Sequence, residues 1–501
     1  MNFKNSLSVV FVSAIILTGL FYRQYIGLNL VLFEVAFIAW LIISKQLRFS
    51  SQNEIISTLG LFLTGVFTVI THSTYVYFIH FFALFVFIGV LNYSTVRSLA
   101  TAYGLSIIAM FMAPVEFIKR FFSSEIKGFK MGQVLWKSRI FLIPLFIIAI
   151  FVLIYSFSNA VFGDIVADVG EKLQKMITFV FQDIDFLLIF TFLFSLLISA
   201  FLLIRIRNHG IEKAEGGANE NLVRRKERLK RIFSLTALKS EYKAGIFLLI
   251  ALNTLLLIVN AIDIYWVWFN FEWDGETLKE FVHAGTYLLI LSILISIAVV
   301  LYFFRGNLNF YKQNSFLKKL TYAWLIQNGI LALSVAIRNY WYIQHFNLAY
   351  KRIGVIVFLL VTVYGLYTVV RKIQHRKSGF FLIKSNAMAI YIAFVLTSFV
   401  NWDGLIAKYN FAHADSAYLH LEYLADFSDK TLPILDRSLD DLNAMKQQQN
   451  EKFGYDPNDV RPGRYVKKIE RRKQSFKETW ESKNFLSWNL PEYRAYWSLF
   501  E

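Results

Sequence analysis

The chain has 501 residues, 56% of them hydrophobic and 17% charged, and a mean hydropathy of +0.48. Soluble domains carry roughly 45–50% apolar and about 25% charged residues, so this balance excludes an ordinary soluble enzyme. The absence of cysteine excludes disulfides, thiolate metal sites, iron–sulfur clusters and thiol nucleophiles, and leaves the compartment open. The net charge of +17 is not a nucleic-acid signature: residues 401–501 hold 15 Lys+Arg and 16 Asp+Glu, so the tail is −1 and residues 1–400 carry +18. That excess sits in short loops between apolar runs, where positive charge orients a membrane protein, so membrane lipids are the expected partner and nucleic acid is not.

Apolar runs of about 18 residues, each long enough to cross about 30 Å of hydrocarbon as a helix, recur along the chain. They predict an all-α fold, a polytopic transmembrane helical bundle with a small helical extramembrane C-terminal tail. Twelve spans are expected: Leu7–Phe21, Ile26–Ile43, Ile55–Ile70, Tyr75–Leu91, Ser98–Val115, Ile140–Phe162, Phe186–Ile204, Ala244–Trp268, Ala284–Phe304, Thr321–Ile343, Ile353–Val370 and Ser385–Val400. The short early runs also allow eleven. Leu7–Phe21 lacks a small-x-small cleavage site and reads as a first span, not a signal peptide. The expected units are 1–204 (N-terminal bundle), 205–243 (basic loop), 244–400 (C-terminal bundle) and 401–501 (tail).

Charge assigns the sides. Lys119–Arg139, Arg205–Lys243, Arg305–Leu320 and Arg371–Lys384 are strongly basic and predicted cytoplasmic, whereas Gly163–Asp185 and Phe269–His283 are each −3. The tail then falls on the extracytoplasmic side of a bacterial inner membrane. Counting back places Lys45 and Arg48 outside, and Lys351 and Arg352 also break the rule there. Within Gly163–Asp185, Val166, Val169, Leu173, Met176 and Val180 recur at helical spacing, as in an amphipathic surface helix or one packed on loops. Leu222–Ile232 reads as a basic helix at the inner leaflet or a topology anchor. In the tail, His413–Leu424, Lys430–Met445 and Tyr465–Lys477 are predicted helices, and the tail is a candidate docking surface for a protein partner.

Polar residues are costly inside a span and mark candidate sites. Asn253, Asn260 and Asp263 form one stripe of an outward-running helix; Arg338, Tyr342 and His345 share a face of another. Asp263 and Arg338 match in depth and oppose in charge, which predicts a pair, direct or through water. His283, Asn347, Lys351 and Arg352 complete the candidate polar site. His283, His345, His413 and His420 are expected on one side but lack HxxxH or HExxH spacing, so neither a metal nor another cofactor is expected. Asp274, Glu276, Asp403 and Asp415 are outer-side acids that ordinary solvation explains.

Asn260–Tyr265, His283–Thr286, Arg338–Tyr340 leading to Asn347–Ile353, and Asn401-Trp402 through Pro433 and Leu435 together resemble the bacterial membrane family called domain of unknown function 4173, over roughly residues 240–435. Where that family often has Gly-Leu-Thr, this chain has Asn347-Leu348-Ala349. The resemblance implies a polytopic membrane protein with an outer-face polar cluster and brings no activity. Three readings follow: binding or transport of a small envelope solute or lipid, a non-catalytic structural or regulatory partner in a membrane complex, and an outer-leaflet enzyme. The catalytic residues of an enzyme, and the oligomeric state, are not readable from the residues.

Overall fold

A computed structural model of the chain describes residues 3–123, 125–126, 129–130, 144, 148, 150–152, 154–156, 158–181, 185–224, 234–270, 275–453 and 461–501. The first helices are α1 (Phe3–Phe21), α2 (Leu28–Ile43), α3 (Gln52–Ile70), α4 (Thr74–Asn92) and α5 (Leu99–Ser123). A two-residue antiparallel pair follows, β1 (Glu125–Ile126) and β2 (Phe129–Lys130), then α6 (Ala160–Phe181), α7 (Phe186–Leu203) and α8 (His209–Gly216). The second half holds α9 (Ser234–Asp263), extended by a π-helical turn over Ile264–Phe269, and α10 (Gly275–Phe303), α11 (Ser315–Phe346), α12 (Tyr350–Gln374) and α13 (Gly379–Ser398). The tail adds α14 (Trp402–Ala412), α15 (Leu421–Leu424), α16 (Leu432–Leu435), α17 (Leu439–Phe453), α18 (Pro462–Ser482) and α19 (Leu490–Phe500).

The helices begin where the sequence supplies a side-chain acceptor for an orphan amide. Ser51, Ser73, Asp185, Ser378 and Asn401 accept from the amides of Glu54, Val76, Leu188, Phe381 and Gly404. Among the described residues, eight helices are long and apolar enough to cross a membrane, and α1, α2 and the second part of α10 are shorter apolar helices. The expected spans therefore appear as helices, apart from Ile140–Phe162, ten of whose residues lie outside the described ones. Large apolar side chains on their outward faces, such as Phe247 at 78% exposure, are stable only against lipid. The chain is a multi-pass membrane protein.

Polar contacts sort the loops onto two faces. On the basic face, Glu220 pairs with Arg97 (3.5 Å) and Lys384 (2.7 Å), Asn221 bridges Lys377, and Arg305 pairs with Glu241 (3.3 Å). Arg205 Nη2 donates to Gln46 Oε1 at 3.1 Å, which brings the loop of Lys45 and Arg48 to this same face. The sequence-based count had put that loop on the opposite face because it took α5 as a full crossing. In fact Ala113 and Phe117 of α5 share a core with Leu7 and Val10 of α1 and Ala200 and Ile204 of α7. Those are the basic-face ends of α1 and α7, so α5 leans back toward the face it starts from. On the other, tail face, Arg23 pairs with Asp185 at 3.0 Å and the α1–α2, α3–α4 and α11–α12 turns meet the tail.

The two halves are not separate in packing. α13 lies against α12 and also against α3, α4 and α5, and Tyr391 of α13 is buried beside Ser57 and Gly60 of α3. The tail's apolar core, with Ile406, Leu419, Leu424, Leu432, Leu442 and Ile469, is continuous with Leu348 and Ile353 of the bundle. Its helices differ from expectation in places. His413–Leu424 is helical only at Leu421–Leu424, and Lys430–Met445 is split at Asp436–Ser438. Tyr465–Lys477 lies within the longer α18, and α19 was not anticipated. α8 ends at Gly216, and most of the basic Leu222–Ile232 segment lies outside the described residues.

α4 and α5 touch backbone to backbone at Gly89, where an added Cβ would collide with the carbonyl and Cα of Ala102, whereas Gly104 faces open space. Overpacking costs about 1–3 kcal/mol when side chains can adjust, and a backbone cannot. Gly89→Ala is expected to lower the melting temperature of the detergent-purified protein by several degrees, with Gly104→Ala unchanged or slightly raised. Equal effects at the two positions would contradict the close approach.

Candidate functional site

α9 and α11 run side by side in the same direction, joined by polar groups that recur every seven residues. Asn253 Nδ2 donates to the Leu320 carbonyl (3.1 Å) and Asn253 Oδ1 accepts from Gln327 Nε2 (2.8 Å). Seven residues on, Asn260 Nδ2 donates to the Gln327 carbonyl (3.1 Å). Further along, Trp268 Nε1 donates to Ser334 Oγ (2.9 Å) and Trp341 Nε1 to the Val267 carbonyl (3.1 Å). A seven-residue repeat keeps one stripe of each helix facing the other in a parallel, left-handed pair.

Asp263 and Arg338 close the outer part of this seam. Arg338 Nη2 donates directly to Asp263 Oδ1, and both residues are about 5% exposed. Asp263 is the last α-helical residue before the π turn, which re-aims Val267 and Trp268 toward α11. Four buried acceptors nearby in sequence, Asn260 Oδ1, Asp263 Oδ2, Gln327 Oε1 and Asn328 Oδ1, have no hydrogen-bond donor among the described residues. Trp324 Nε1 is a buried donor without an acceptor among the described residues in the same stretch, but these acceptors outnumber it, and an added N–H, O–H or cation would satisfy them.

The remaining sequence-predicted residues gather elsewhere, at the α11–α12 corner. Arg352 lies over the Tyr342 ring (4.3 Å) and donates through Nη1 to the carbonyls of Phe346 (2.7 Å) and Asn347. Its charge caps the end of α11, which explains a cation on the tail face without a topological role. Asn347 has φ 63°, a conformation favouring glycine, and its Nδ2 donates to the Tyr418 carbonyl (3.1 Å). The His345 carbonyl accepts from the Tyr418 amide (2.7 Å), and Asn410 binds both the amide and the carbonyl of Leu348. This corner is therefore where the tail docks. Lys351 is exposed and joins neither group, and the side chain of His283 lies outside the described residues.

Sequence reasoning missed two buried constellations. In the first, Asp403, expected to be solvated, is 7% exposed; it accepts from the hydroxyls of Tyr350 and Ser428 and lies 3.8 Å from Lys430 Nζ. Lys430 also donates to the carbonyls of Thr71 (2.6 Å) and His72 (3.0 Å), and burial pushes its ammonium down to about 8 despite Asp403 and Glu492. Glu492 sits 2.5 Å from Lys483 and 3.4 Å from His72. Burial pushes the Glu492 carboxyl up, but His72 and Lys483 outweigh it and hold the group at about 2. The second is Glu34 with His80, single ionisable residues within apolar helices; that isolation was the signal available. Among the described residues, no group of three His, Cys, Asp or Glu is placed to hold a metal ion.

The family model described as "Domain of unknown function (DUF4153)" matches residues 10–438. This corrects the family number suggested by residues 240–435 and extends the match into the first half of the chain; the class, a family without assigned activity, is the same. No curated protein and no solved structure matches the chain.

Removing one partner of a buried ion pair typically costs 3–5 kcal/mol. Asp263→Arg and Arg338→Asp are each expected to cut folded yield severely, and the double exchange to recover most of it; a double variant as poor as the singles would dissolve the pair. The tail interface should be acid-sensitive. Glu492 has a folded value of about 2 against an ordinary 4.5, so its contribution is complete above pH 4.5 and lost as pH falls toward 2. Hydrogen exchange across residues 484–492 should rise in that window, and Glu492→Gln should remove the dependence.

Proposed function

We propose that this chain, which belongs to the family of unknown function DUF4153, binds or carries a small polar solute along the α9–α11 seam. The observation that supports this reading is the set of four buried acceptors without donors, at Asn260, Asp263, Gln327 and Asn328. Pinning the register of two helices takes one polar pair; a ladder with unused acceptors exceeds that need. The solute class is one that donates: a small cation, an amine or a polyol, free or as a lipid headgroup. By the positive-inside rule the basic face is cytoplasmic and the tail face extracytoplasmic, in a bacterial inner membrane, so the Asp263–Arg338 end of the seam faces outward.

One observation favours a second reading, a structural or regulatory partner in a membrane complex. Asp263 and Arg338 are buried against each other, as a pair that sets helix register would be. The enzyme reading has less support, since the outer acid Asp403 is committed to Tyr350, Ser428 and Lys430.

Thermal stability of the nanodisc-embedded protein, measured against alkali cations, primary amines and polyols, separates the two. A ligand at a hundredfold excess over its Kd stabilises by about 2.7 kcal/mol. At least one class is expected to raise the melting temperature, and Asn260→Leu with Gln327→Leu to abolish the shift while leaving Asp263 and Arg338 in place. A panel without effect on the native chain would favour the structural reading.

A further inference from the structure

Six residues into α2 stands Glu34, and six residues into α4 stands His80; α3 passes between the same levels in the opposite sense, with Thr64 six residues before its end. At about 1.5 Å per residue, all three lie about 9 Å inside the tail-face ends of their helices. Glu34 is 4% exposed and His80 fully buried, and His80 Nε2 lies 2.9 Å from Glu34 Oε1. Gly65 makes the room, since a Cβ there would collide with Glu34 Oε2. No other charged side chain of α2, α3 or α4 lies within two turns of the pair, so its charge must balance internally.

The hydrogen bonds determine how many protons it holds. The Thr64 hydroxyl has the Gly60 carbonyl at 2.7 Å and the Leu61 carbonyl at 3.0 Å as acceptors, and with its proton committed to them its oxygen accepts from His80 Nδ1, 3.2 Å away. In that arrangement Nδ1 carries a hydrogen, and Nε2 faces Glu34 with one further proton to share. That proton sits on Oε1, giving a neutral acid and a neutral imidazole, or on Nε2, giving carboxylate and imidazolium; both forms have zero net charge. Losing it leaves −1 and adding one leaves +1, in surroundings that penalise isolated charge.

Toward the tail face, polar side chains continue from a level one turn beyond the pair. Tyr77, one turn before His80 on α4, has its hydroxyl 2.7 Å from His72 Nδ1, and His72 Nε2 is 3.4 Å from Glu492 Oε1. Other titratable groups on these helices and on the elements packed around them include Lys430 and Lys483 at the tail end, Tyr75 of α4 bonded to Thr397, Glu54 at the far end of α3, Tyr391 and Lys384 of α13, and Tyr103 of α5 against Phe82.

We propose that Glu34 and His80 form a proton-binding centre inside the membrane bundle, exchanging its proton with water at the tail face through Tyr77 and His72. The centre uses different helices from the α9–α11 seam and does not depend on the reading given to that seam. Infrared difference spectra of the protein in nanodiscs, with isotope-labelled glutamate and histidine, test it. On transfer to heavy water the carboxyl and imidazole bands should shift together, as the one shared proton is replaced. Glu34→Gln should remove the change. Tyr77→Phe, which leaves the pair intact, should slow the heavy-water shift at least tenfold. A native pair whose bands do not shift in heavy water, or a shift that persists in Glu34→Gln, overturns the centre. Exchange at the native rate in Tyr77→Phe overturns the route.

Discussion

Hydrocarbon offers no solvation to a charged side chain, and this constraint arranges the interior of the bundle. Asp263 finds Arg338, and Glu34 finds His80, each pair between different helices and each nearly sealed from solvent. A lone ionised group at such depth costs several kcal/mol, so each pair also dictates which helices lie side by side. Around the first pair the rule extends to uncharged groups. Amides of Asn253, Asn260 and Gln327 reach across to the partner helix because lipid provides no alternative.

Tail and bundle depend on one another through the same physics at the water boundary. The tail joins the second half through Asn347, Leu348 and Asn410 and the first half through Lys430 at the α3–α4 turn. Trp488 reaches the start of α2, accepting from the Leu28 amide at 3.0 Å. Because α13 also packs on α3, α4 and α5, the two halves are tied both within the membrane and on its tail face. Cations and carboxylates at this junction are bound to backbone carbonyls, hydroxyls and one another, an arrangement that holds a domain in place and is sensitive to protonation.

Much of this was legible along the chain. Apolar runs marked the helices because a segment of fixed length must cover a hydrocarbon layer of fixed thickness. Asp263 and Arg338 were matched by depth and sign, two quantities readable from position in a span. Arg352 misled, because a cation outside reads as a functional signal until the carbonyls of Phe346 and Asn347 are seen around it. Asp403 misled in the other direction: an acid just past a span looks solvated until Tyr350, Ser428 and Lys430 are folded over it.

What the sequence determined by itself was therefore the solvent of each segment: which stretches meet lipid, which meet water, and how deep each polar residue sits. Those properties depend on local composition and helical rise. The tertiary structure alone decided the partnerships and the faces: that Glu34 meets His80 from a helix two elements away, that α5 leans back so that Lys45 and Arg48 join the basic face, and that Glu492 near the end of the chain meets His72 near its beginning. Such pairings arise from packing between elements distant in sequence, where hydrophobic periodicity carries no information about which neighbour will be found.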